Sequence, residues 1–446
     1  MSRTIDFTQG SIARRMILYA IPLILGEVFQ NFYNSVDILV VGNFVGKTAL
    51  AAVSVCGPIA EFIIGFFNGM SIGASVIISR GFGSADRERL RLSMRVTVTF
   101  SVILGVVLSV IGFFATPLLL ELTSVQAEIY TEADAYLKLY LMGIMFTVIY
   151  NMAAGVLRAI GDTQSPFAIL VATCCLNIAL DLLFAAGMHM GVVGVALATV
   201  LAQGASVILV FVRLRRYDPA FDLSFGELCR SGKIIREMTG IGMPTGVQSS
   251  LIQVSNLFVW RYINSFSAAA VAGMGIASRL DKFIVLPSKA LGLTLTTFIS
   301  QNVGAGNQER NRQGIRVCTA LSLGTIAAFC VILYFSAPVW VGLFSDDAEV
   351  IGVGVEMMRT VIPLYFLLVI REMFFGILRG FGDAKIPMLL SLAGMVGARQ
   401  IFLAVSMRIA HVIENVYYGY PVAWGATALF VGLYYFRVRK KYFTGE

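Results

Sequence analysis

Two aspartates stand inside long apolar stretches of the chain. Asp37 interrupts the run NSVDILVVG, and Asp181 closes the run NIALD. At the centre of a bilayer a charged side chain costs about 2.5–3.5 kcal/mol on insertion scales, so such residues mark functional sites by default. Asn34 lies one turn before Asp37, and Asn177 lies one turn before Asp181, so each helix presents an amide beside a carboxylate. We therefore predict a cation-coupling site built on these four residues.

Oxygen donors in two further apolar stretches extend this candidate site. Asn151 and Thr199 lie at a comparable depth in their own stretches. Carboxylate, amide and hydroxyl oxygens, without sulfur or imidazole, suit a hard cation such as Na⁺. Two close carboxylates in a low-dielectric pocket can also share a proton. The residue types leave the coupling ion open between H⁺ and Na⁺. They also leave open that the two acids only satisfy neighbouring backbone or arginine groups.

A second polar set lies in the apolar stretches of the second half of the chain. It contains charges of both signs and two glutamines, and we interpret it, together with Gln30, as the polar wall of a substrate cavity. The set comprises Gln248, Gln253, Arg279, Asp281, Lys282, Arg371, Glu372 and Arg399. The alternative is structural, because Asp281 or Glu372 could neutralise Arg371 or Arg399 and hold helices together. The sequence leaves both interpretations open.

The chain repeats itself at an interval of 221 residues. The segment ISRGFGSADRER at 78–89 returns as ISQNVGAGNQER at 299–310, and VLRAIGD at 156–162 returns as ILRGFGD at 377–383. Two loops kept in register indicate two copies of one membrane module, which is the ground plan of many secondary transporters. The same offset carries Asp37 to Phe258 and Asp181 to Phe402. The second copy lacks both acids, so we expect the cation site in the first half.

Composition indicates the solvent and the class of fold. Apolar residues make up 57% of the chain, charged residues only 13%, and the mean hydropathy is +0.81. Apolar runs of membrane-spanning length predict an all-α integral membrane protein with twelve transmembrane helices in two parallel, pseudo-symmetric six-helix bundles. The predicted spans are 16–43, 50–78, 92–117, 131–157, 166–187, 190–213, 237–262, 268–300, 314–343, 353–378, 386–411 and 415–437. The predicted domains are an N-lobe at 1–213, a cytoplasmic linker at 214–236 and a C-lobe at 237–446.

Basic residues predict the orientation and narrow the function. They concentrate at both ends of the chain and in every second loop. By the positive-inside rule this places both termini in the cytoplasm of a multi-pass protein of the cell inner membrane. The net charge of +8 is thus a topology signal and does not indicate nucleic acid. Six cysteines and two histidines show neither metal-ligand spacing nor a nucleophile–base pair, so we expect neither an enzyme nor a cofactor.

Several motifs resemble those of the MATE (multidrug and toxic compound extrusion) transporters over nearly the whole chain. They are SVDILVVG at 35–42, ALAAV at 49–53, GMSIGAS at 69–75, LRAIGD at 157–162, SQNVGAGN at 300–307 and LRGFGD at 378–383. The resemblance implies a V-shaped pair of six-helix bundles. It also implies cation-driven export of amphipathic, often cationic, compounds.

The resemblance assigns roles to particular residues. Four of them match the cation site of the family's prokaryotic members and would be the ligands if Na⁺ is the coupling ion: Asp37, Asn177, Asp181 and Thr199. Ala154 stands where some relatives carry another asparagine of that site. Some sodium-coupled relatives place acids on spans 7 and 10, whereas span 7 here offers Gln248 and Gln253, and Glu372 is offset from the span-10 position. These departures favour coupling through the first half.

We therefore expect a multidrug efflux antiporter that exchanges amphipathic, drug-like small molecules for H⁺ or Na⁺ by alternating access. We expect it to work as a monomer among membrane lipids. One rival is a lipid-linked oligosaccharide flippase of the same superfamily, whose cationic cavity would bind phosphate. That rival requires the cations of the second half to face an open cavity instead of pairing with Asp281 and Glu372. A second rival, an ion channel or receptor, is disfavoured by the duplicated halves and the asymmetric acids.

Overall fold

Twelve long helices follow one another along the chain. The computed structural model describes residues 4–123 and 125–444, except for the side chains of residues 33–35 and 444, and the regular elements in these ranges are all helical. The helices are α1 (Ile12–Val40), α2 (Lys47–Gly83), α3 (Arg87–Leu122), α4 (Ala127–Met142 followed by Ile144–Ala159), α5 (Gln164–Gly187), α6 (Gly191–Tyr217), α7 (Gly232–Ile263), α8 (Ala268–Gly304), α9 (Gln308–Gly342), α10 (Ala348–Gly380), α11 (Lys385–Ile409) and α12 (Glu414–Thr444). A short linker helix, Phe225–Arg230, precedes α7. The prediction of an all-α membrane protein is confirmed.

Most of these helices are apolar enough to cross a membrane. By length and composition, eight of the described helices could do so, or nine if the bent α4 counts as one span. The helices α1, α7 and α12 fall outside that test, although they contain 29, 32 and 31 residues. The helix α4, predicted as one straight span at 131–157, bends by 42° at Gly143. A Cβ at Gly143 would lie 2.4 Å from Val200 of α6, so this glycine permits the close approach of α6.

Short non-α segments interrupt four of the helices. The helix α1 continues as a π-helical turn at Val41–Val45, α5 becomes π-helical at Leu182–Gly187, and α11 contains a π-helical segment at Ala393–Ala398. The helix α10 instead tightens into a 3₁₀ turn at Ile362–Leu364, around a proline that cannot donate a backbone hydrogen bond. π-Helical turns are rare in proteins, and those that occur are often found at functional sites. The residues beside the first three segments are therefore candidates for a functional site.

The 221-residue repeat is visible in individual hydrogen bonds. The Ser79 hydroxyl donates to the Ala159 carbonyl (3.1 Å), which joins α2 to α4. At the equivalent positions, the Ser300 hydroxyl donates to the Gly380 carbonyl (3.2 Å), which joins α8 to α10. The turns that follow α4 and α10 are also equivalent, because each contains a glycine with positive φ, 87° at Gly161 and 85° at Gly382. The two copies therefore share their backbone turns and their helix contacts.

Contacts divide the chain into two compact units that are not continuous in sequence. The first unit contains Ile21–Gly246 together with Ile5, and the second contains Asp6–Ala20 and the chain from Val247 onward. The start of α1 thus belongs to the second unit, whereas the linker and the start of α7 belong to the first. The predicted lobes at 1–213 and 237–446 are instead continuous blocks of sequence. They follow from a count of apolar spans, and such a count carries no information on which segments pack together.

Phe7 anchors the N-terminal arm, residues 6–11, within the second unit. Its ring is fully buried between the rings of Tyr19 (centroids 5.1 Å apart) and Phe298 (5.4 Å apart). Its backbone N–H donates to Gln301 Oε1 (2.9 Å), and its carbonyl accepts from Arg310 Nε (2.7 Å). The backbone of Phe7 is therefore bonded to the end of α8 and the start of α9, and its ring is packed between α1 and α8.

An ion pair of the first copy is replaced by phenol contacts in the second. Arg213 donates through Nε (2.9 Å) and Nη2 (2.7 Å) to the buried carboxylate of Asp162. The offset of 221 carries this pair to Asp383 and Tyr434, and there the Tyr434 hydroxyl donates to the carboxylate, joined by that of Tyr442 (2.8 Å). The aspartate that ends each LR-x-x-GD motif is thus present in both copies. Its partner is charged in the first copy and neutral in the second.

We predict that Phe7→Ala destabilises the protein. Truncation of a buried phenylalanine leaves a cavity and costs about 3–5 kcal/mol, so the melting temperature of the purified protein in detergent should fall by several degrees. Phe225→Ala is the matched control, because Phe225 is 54% exposed and its loss leaves no cavity. Equal melting temperatures for the two variants would contradict the burial of the arm.

We also predict that Asp162→Asn lowers the melting temperature more than Asp383→Asn. The first substitution leaves the Arg213 guanidinium without its charged partner, and breaking a buried ion pair costs about 3–5 kcal/mol. The second leaves only neutral phenols, which can still donate to an amide oxygen. Thermal unfolding of the two variants in the same detergent tests the order, and a larger effect of Asp383→Asn would contradict it.

Candidate functional site

The two predicted acids sit at the same kind of position in their helices. Asp37 lies four residues before the π-helical turn Val41–Val45, and Asp181 is the last residue before the π-helical segment Leu182–Gly187. The two π-helical segments also contact each other. Each acid is therefore held by regular helix on one side and by a locally widened helix on the other.

The side chains of Asp37 and Asp181 are joined by a hydrogen bond. A carboxylate only accepts hydrogen bonds, so a bond between two carboxyl groups requires a proton on one of them. Asp181 and Asn177 are each 1% exposed, whereas Asp37 is half-buried. The Oδ1 atom of Asp181 has no partner among the described residues. The arrangement thus accounts for one shared proton and leaves one buried acceptor atom.

Tyr136 of α4 lies beside this pair and was not predicted. It interacts electrostatically with both Asp37 and Asp181. Its ring stacks on that of Tyr140 (centroids 6.1 Å apart) and packs against the apolar cluster that contains Val41 and Val195. The available signal in the sequence was two tyrosines four residues apart on a helix with acidic residues. That pattern is too common to identify a site without the fold.

The weaker candidates make local contacts. The Thr199 hydroxyl donates to the Val195 carbonyl one turn earlier (3.1 Å), and the Asn151 amide donates to the Thr147 carbonyl (2.9 Å). Both side chains are half-buried. Gln30 is exposed on α1, and the side chain of Asn34 lies outside the described residues. The roles of these four residues in coupling or in substrate binding stay predictions.

The donor set fits either candidate ion. Asp37, Asp181 and Asn177 supply carboxylate and amide oxygens, which are the ligands that a hard cation takes. The unpartnered Oδ1 of Asp181 is an acceptor available to such an ion. A proton is also accommodated, because the hydrogen bond between the two carboxyl groups needs one. The geometry of the pair therefore does not separate H⁺ from Na⁺.

The polar set of the second half divides into pairs and single residues. Arg371 forms an ion pair with its neighbour Glu372, which is one of the predicted structural pairings. Asp281 instead accepts a hydrogen bond from the Tyr365 hydroxyl. Gln248 is buried, donates to Ser391 Oγ (2.8 Å) and accepts from Arg379 Nη2 (3.0 Å). Gln248 is thus part of a packed network.

The remaining cations of this set have no acid as a hydrogen-bond partner among the described residues. Arg399 is 1% exposed and donates to Asn256 Oδ1 (3.0 Å) and Ser255 Oγ (2.6 Å), which are both neutral. The predicted pairing of Arg399 with Asp281 or Glu372 is therefore absent, because its side chain is directed to α7. Arg279 and Lys282 are exposed on α8. The half-buried Gln253 accepts a hydrogen bond from Asn256 Nδ2 (3.2 Å).

Solved structures identify this arrangement of helices as that of a membrane transporter. The chain superposes with a TM-score of 0.88, over the full length of both chains and at 23% identity, on a multidrug resistance MATE family transporter of the MOP superfamily in its outward-facing conformation. At this identity the likeness shows the fold alone. The MatE family model matches residues 22–183 and again 244–405. The chain therefore belongs to the MatE family, which is a family of transporters and not of enzymes, and each copy of the repeat matches the model once.

Relatives of similar length support this assignment. The chain is 27% identical over 449 residues to the probable multidrug resistance protein YoeA of Bacillus subtilis. The alignment covers 98% of this chain and 96% of the relative. It is 28% identical over 401 residues to the probable multidrug resistance protein YpnP of the same organism, which covers 90% of this chain and 89% of the relative. The resemblance seen in the sequence motifs is confirmed at the level of the family.

We predict that Glu372→Gln lowers the melting temperature and that the double variant with Arg371→Gln recovers part of the loss. Removal of one partner leaves the other charge buried, at a cost of about 3–5 kcal/mol, whereas removal of both leaves no unpaired charge. Thermal unfolding of the two single variants and the double variant gives the coupling between the residues. Additive losses would show that the pair does not contribute as a pair.

Proposed function

We propose that this protein is a secondary active multidrug antiporter that exports amphipathic, drug-like compounds in exchange for H⁺ or Na⁺. The observation that carries the proposal is the hydrogen bond between the side chains of the buried Asp181 and the half-buried Asp37, on two helices that become π-helical within four residues of the acid. The names of the two relatives, which are probable multidrug resistance proteins, support the substrate class. We further propose that the protein lies in the cell inner membrane with both termini in the cytoplasm and works as a monomer without a cofactor.

Occupancy of the carboxyl pair would control the distance between α1 and α5. With one proton, the pair is held together by a hydrogen bond. Loss of that proton would leave two carboxylates facing each other in a site of low dielectric, where like charges repel strongly. A Na⁺ between the two carboxylates would draw them together again. Either ion therefore binds more tightly to the conformation in which Asp37 and Asp181 are close.

This difference in affinity is what an antiporter requires. A ligand shifts a conformational equilibrium only by as much as its affinities for the two states differ. The π-helical turn Val41–Val45 and the segment Leu182–Gly187 adjoin the acids. A return of either segment to α-helical geometry would rotate the acid relative to the rest of its helix. We propose that this local change couples ion binding to the exposure of the substrate site.

The flippase alternative is supported by the exposure of Arg279 and Lys282 on α8. Neither forms an ion pair among the described residues, although Lys282 interacts electrostatically with its neighbour Asp281. It predicts that the protein moves a fluorescent lipid-linked oligosaccharide across a proteoliposome membrane. Scrambling of this lipid, without any effect of an ion gradient and without dye export, would favour the flippase over the antiporter.

We predict that Asp37→Asn and Asp181→Asn each abolish gradient-driven dye export. An amide cannot take up a proton and is a weaker ligand for Na⁺ than a carboxylate, so neither ion can act through the pair. Export activity is measured as uptake of ethidium into inverted membrane vesicles, whose cytoplasmic face is on the outside, with an imposed pH gradient and, separately, with an imposed Na⁺ gradient. The matched control is Glu128→Gln, an exposed acid at the start of α4.

The two gradients identify the coupling ion, and the variants test the site. Wild-type export driven by one gradient, unchanged in Glu128→Gln and lost in both aspartate variants at equal protein level, is the expected result. Full export by Asp37→Asn would rule out the carboxyl pair as the coupling site.

A further inference from the structure

The second copy contains a counterpart of the acidic site with the opposite charge. The acidic site lies between α1 and α5, and the repeat makes α7 and α11 the equivalent helices. On α7, Ser255 and Asn256 stand at the positions equivalent to residues 34 and 35, just before the equivalent of Asp37. On α11, Arg399 stands at the equivalent of Ile178, three residues before the equivalent of Asp181. The same pair of helices is thus joined by carboxyl groups in one copy and by a guanidinium in the other.

Arg399 is buried without a charge to neutralise it. Its Nη1 and Nη2 atoms donate to the neutral oxygens of Asn256 (3.0 Å) and Ser255 (2.6 Å), and its Nε has no partner among the described residues. The residue is 1% exposed. A buried charge that lacks a counter-ion is strongly unfavourable and is seldom retained for packing alone. The free Nε–H leaves part of the donor fork of the guanidinium available to an anion.

A second guanidinium lies within electrostatic range of Arg399. Arg371 of α10 is buried and interacts electrostatically with Arg399. Its ion pair with Glu372 occupies one edge of the guanidinium, while Nη1 faces the sulfur of Met395 (3.0 Å) and Nε has no partner among the described residues. Among the described residues, Glu372 pairs with Arg371 and no acid pairs with Arg399, so the two guanidinium groups carry a net positive charge.

Cations on α8 extend this positive charge to exposed positions. Lys282 and Lys289 are seven residues apart, which places them two turns apart on one face, and both are exposed near the middle of a 37-residue helix. Lys289 interacts electrostatically with Glu372, and both lysines interact with Asp281. Charges at this depth are too costly to face lipid, so this face is expected to line a water-filled path.

The equivalent face of the first copy carries the opposite charge. The offset of 221 relates Lys282 to Glu61 and Lys289 to Asn68. It also relates Arg371 to Tyr150, which is uncharged at neutral pH. The change of sign at the α7–α11 site is therefore accompanied by a change of sign along α8.

We propose that the second copy recognises an acidic group of the exported compound, with Arg399 and Arg371 as the direct donors and Lys282 and Lys289 along its approach. The site fits a carboxylate or another oxyanion, because the edge of a guanidinium that carries Nε–H and one Nη–H forms two parallel hydrogen bonds to such a group. The preferred exported compounds would then be amphipathic molecules with an anionic group, zwitterions included, and these would bind more tightly than simple cations such as ethidium. This inference rests on the proposed function and narrows its substrate class.

Access to Arg399 depends on the helix that carries it. The π-helical segment Ala393–Ala398 ends at the residue before Arg399. Its Gly394 is packed so closely that a Cβ there would lie 2.2 Å from Thr427 Oγ1 of α12. A shift of the π-helical turn along α11 would rotate Arg399 away from Ser255 and Asn256. The Nη1 and Nη2 atoms of Arg399, which now donate to these two residues, would then be free to bind an anion.

A pair of dyes that differ by one carboxylate tests the proposal. Rhodamine 110 carries a free carboxylate, and rhodamine 123 is its methyl ester, so their affinities for the purified full-length protein isolate the contribution of that group. Fluorescence polarisation in detergent gives both dissociation constants. We expect the wild type to bind rhodamine 110 about tenfold more tightly than rhodamine 123, which is the effect of one charge-assisted hydrogen bond.

Variants assign the preference to the site. Arg399→Gln should bring the ratio of the two affinities close to one, and Arg399→Lys should retain part of it, because lysine keeps the charge without the fork. Lys282→Gln, at an exposed position that tolerates substitution, should lower the ratio severalfold even if Arg399→Gln fails to fold. Arg316→Gln, an exposed cation at the start of α9, should leave the ratio unchanged.

The outcomes separate this inference from the proposed function. A wild-type ratio at or below one, or a ratio that Arg399→Gln and Lys282→Gln both leave intact, overturns the anion site. Gradient-driven export of rhodamine 123 alongside such a result would leave the antiporter standing. Conversely, a preference for rhodamine 110 that depends on Arg399, without export of either dye, would support the anion site and overturn the export function.

Discussion

A charge inside a bilayer has no water to solvate it, so it must find its partner within the protein. This constraint governs each of the intramembrane charges described above. Asp37 and Asp181 satisfy it by a hydrogen bond to each other, Arg371 by pairing with Glu372, and Arg399 by contacts with neutral oxygens. The three solutions differ in permanence, because a shared proton can be exchanged, whereas a guanidinium cannot lose its charge. Ion coupling is therefore suited to the carboxyl pair, and anion recognition to the arginines.

The duplication separates what the fold needs from what the chemistry needs. Contacts that fix helix packing, such as Ser79 to Ala159 and Ser300 to Gly380, recur in both copies with nearly the same length. The ion pair of the first copy does not recur, because the partner of the repeated acid changes from Arg213 to Tyr434. A scaffold of helices thus carries two sets of polar groups that diverged independently. This is the division expected of a transporter whose two halves have different ligands.

Much of the fold followed from the sequence, because apolar runs and repeated turns are local patterns. The helix count and the duplication are examples. The functional potential of Asp37 and Asp181 was also predictable, since an acid in an apolar run is informative by itself. Their mutual hydrogen bond was not, and neither was the role of Tyr136 beside them. The sequence left the partner of Arg399 open, because the rotation of a helix about its axis decides which neighbour a side chain meets. The π-helical segments consist of apolar residues and glycine, with Asn43 as the one polar residue, and this composition does not distinguish them from the surrounding α-helix.

The start of α1 belongs to the second unit and the start of α7 belongs to the first. This arrangement constrains the order in which the protein can fold during synthesis. Phe7 is synthesised before its binding partners Gln301 and Arg310, which emerge from the ribosome about 300 residues later. The N-terminal arm must wait, unburied, until most of the polypeptide has been made. Two polypeptides cut after residue 213 would each lack a segment of their own core, the first its linker and the start of α7, and the second its arm. Each compact unit therefore contains chain from both copies of the repeat, so a cut between the copies divides both units.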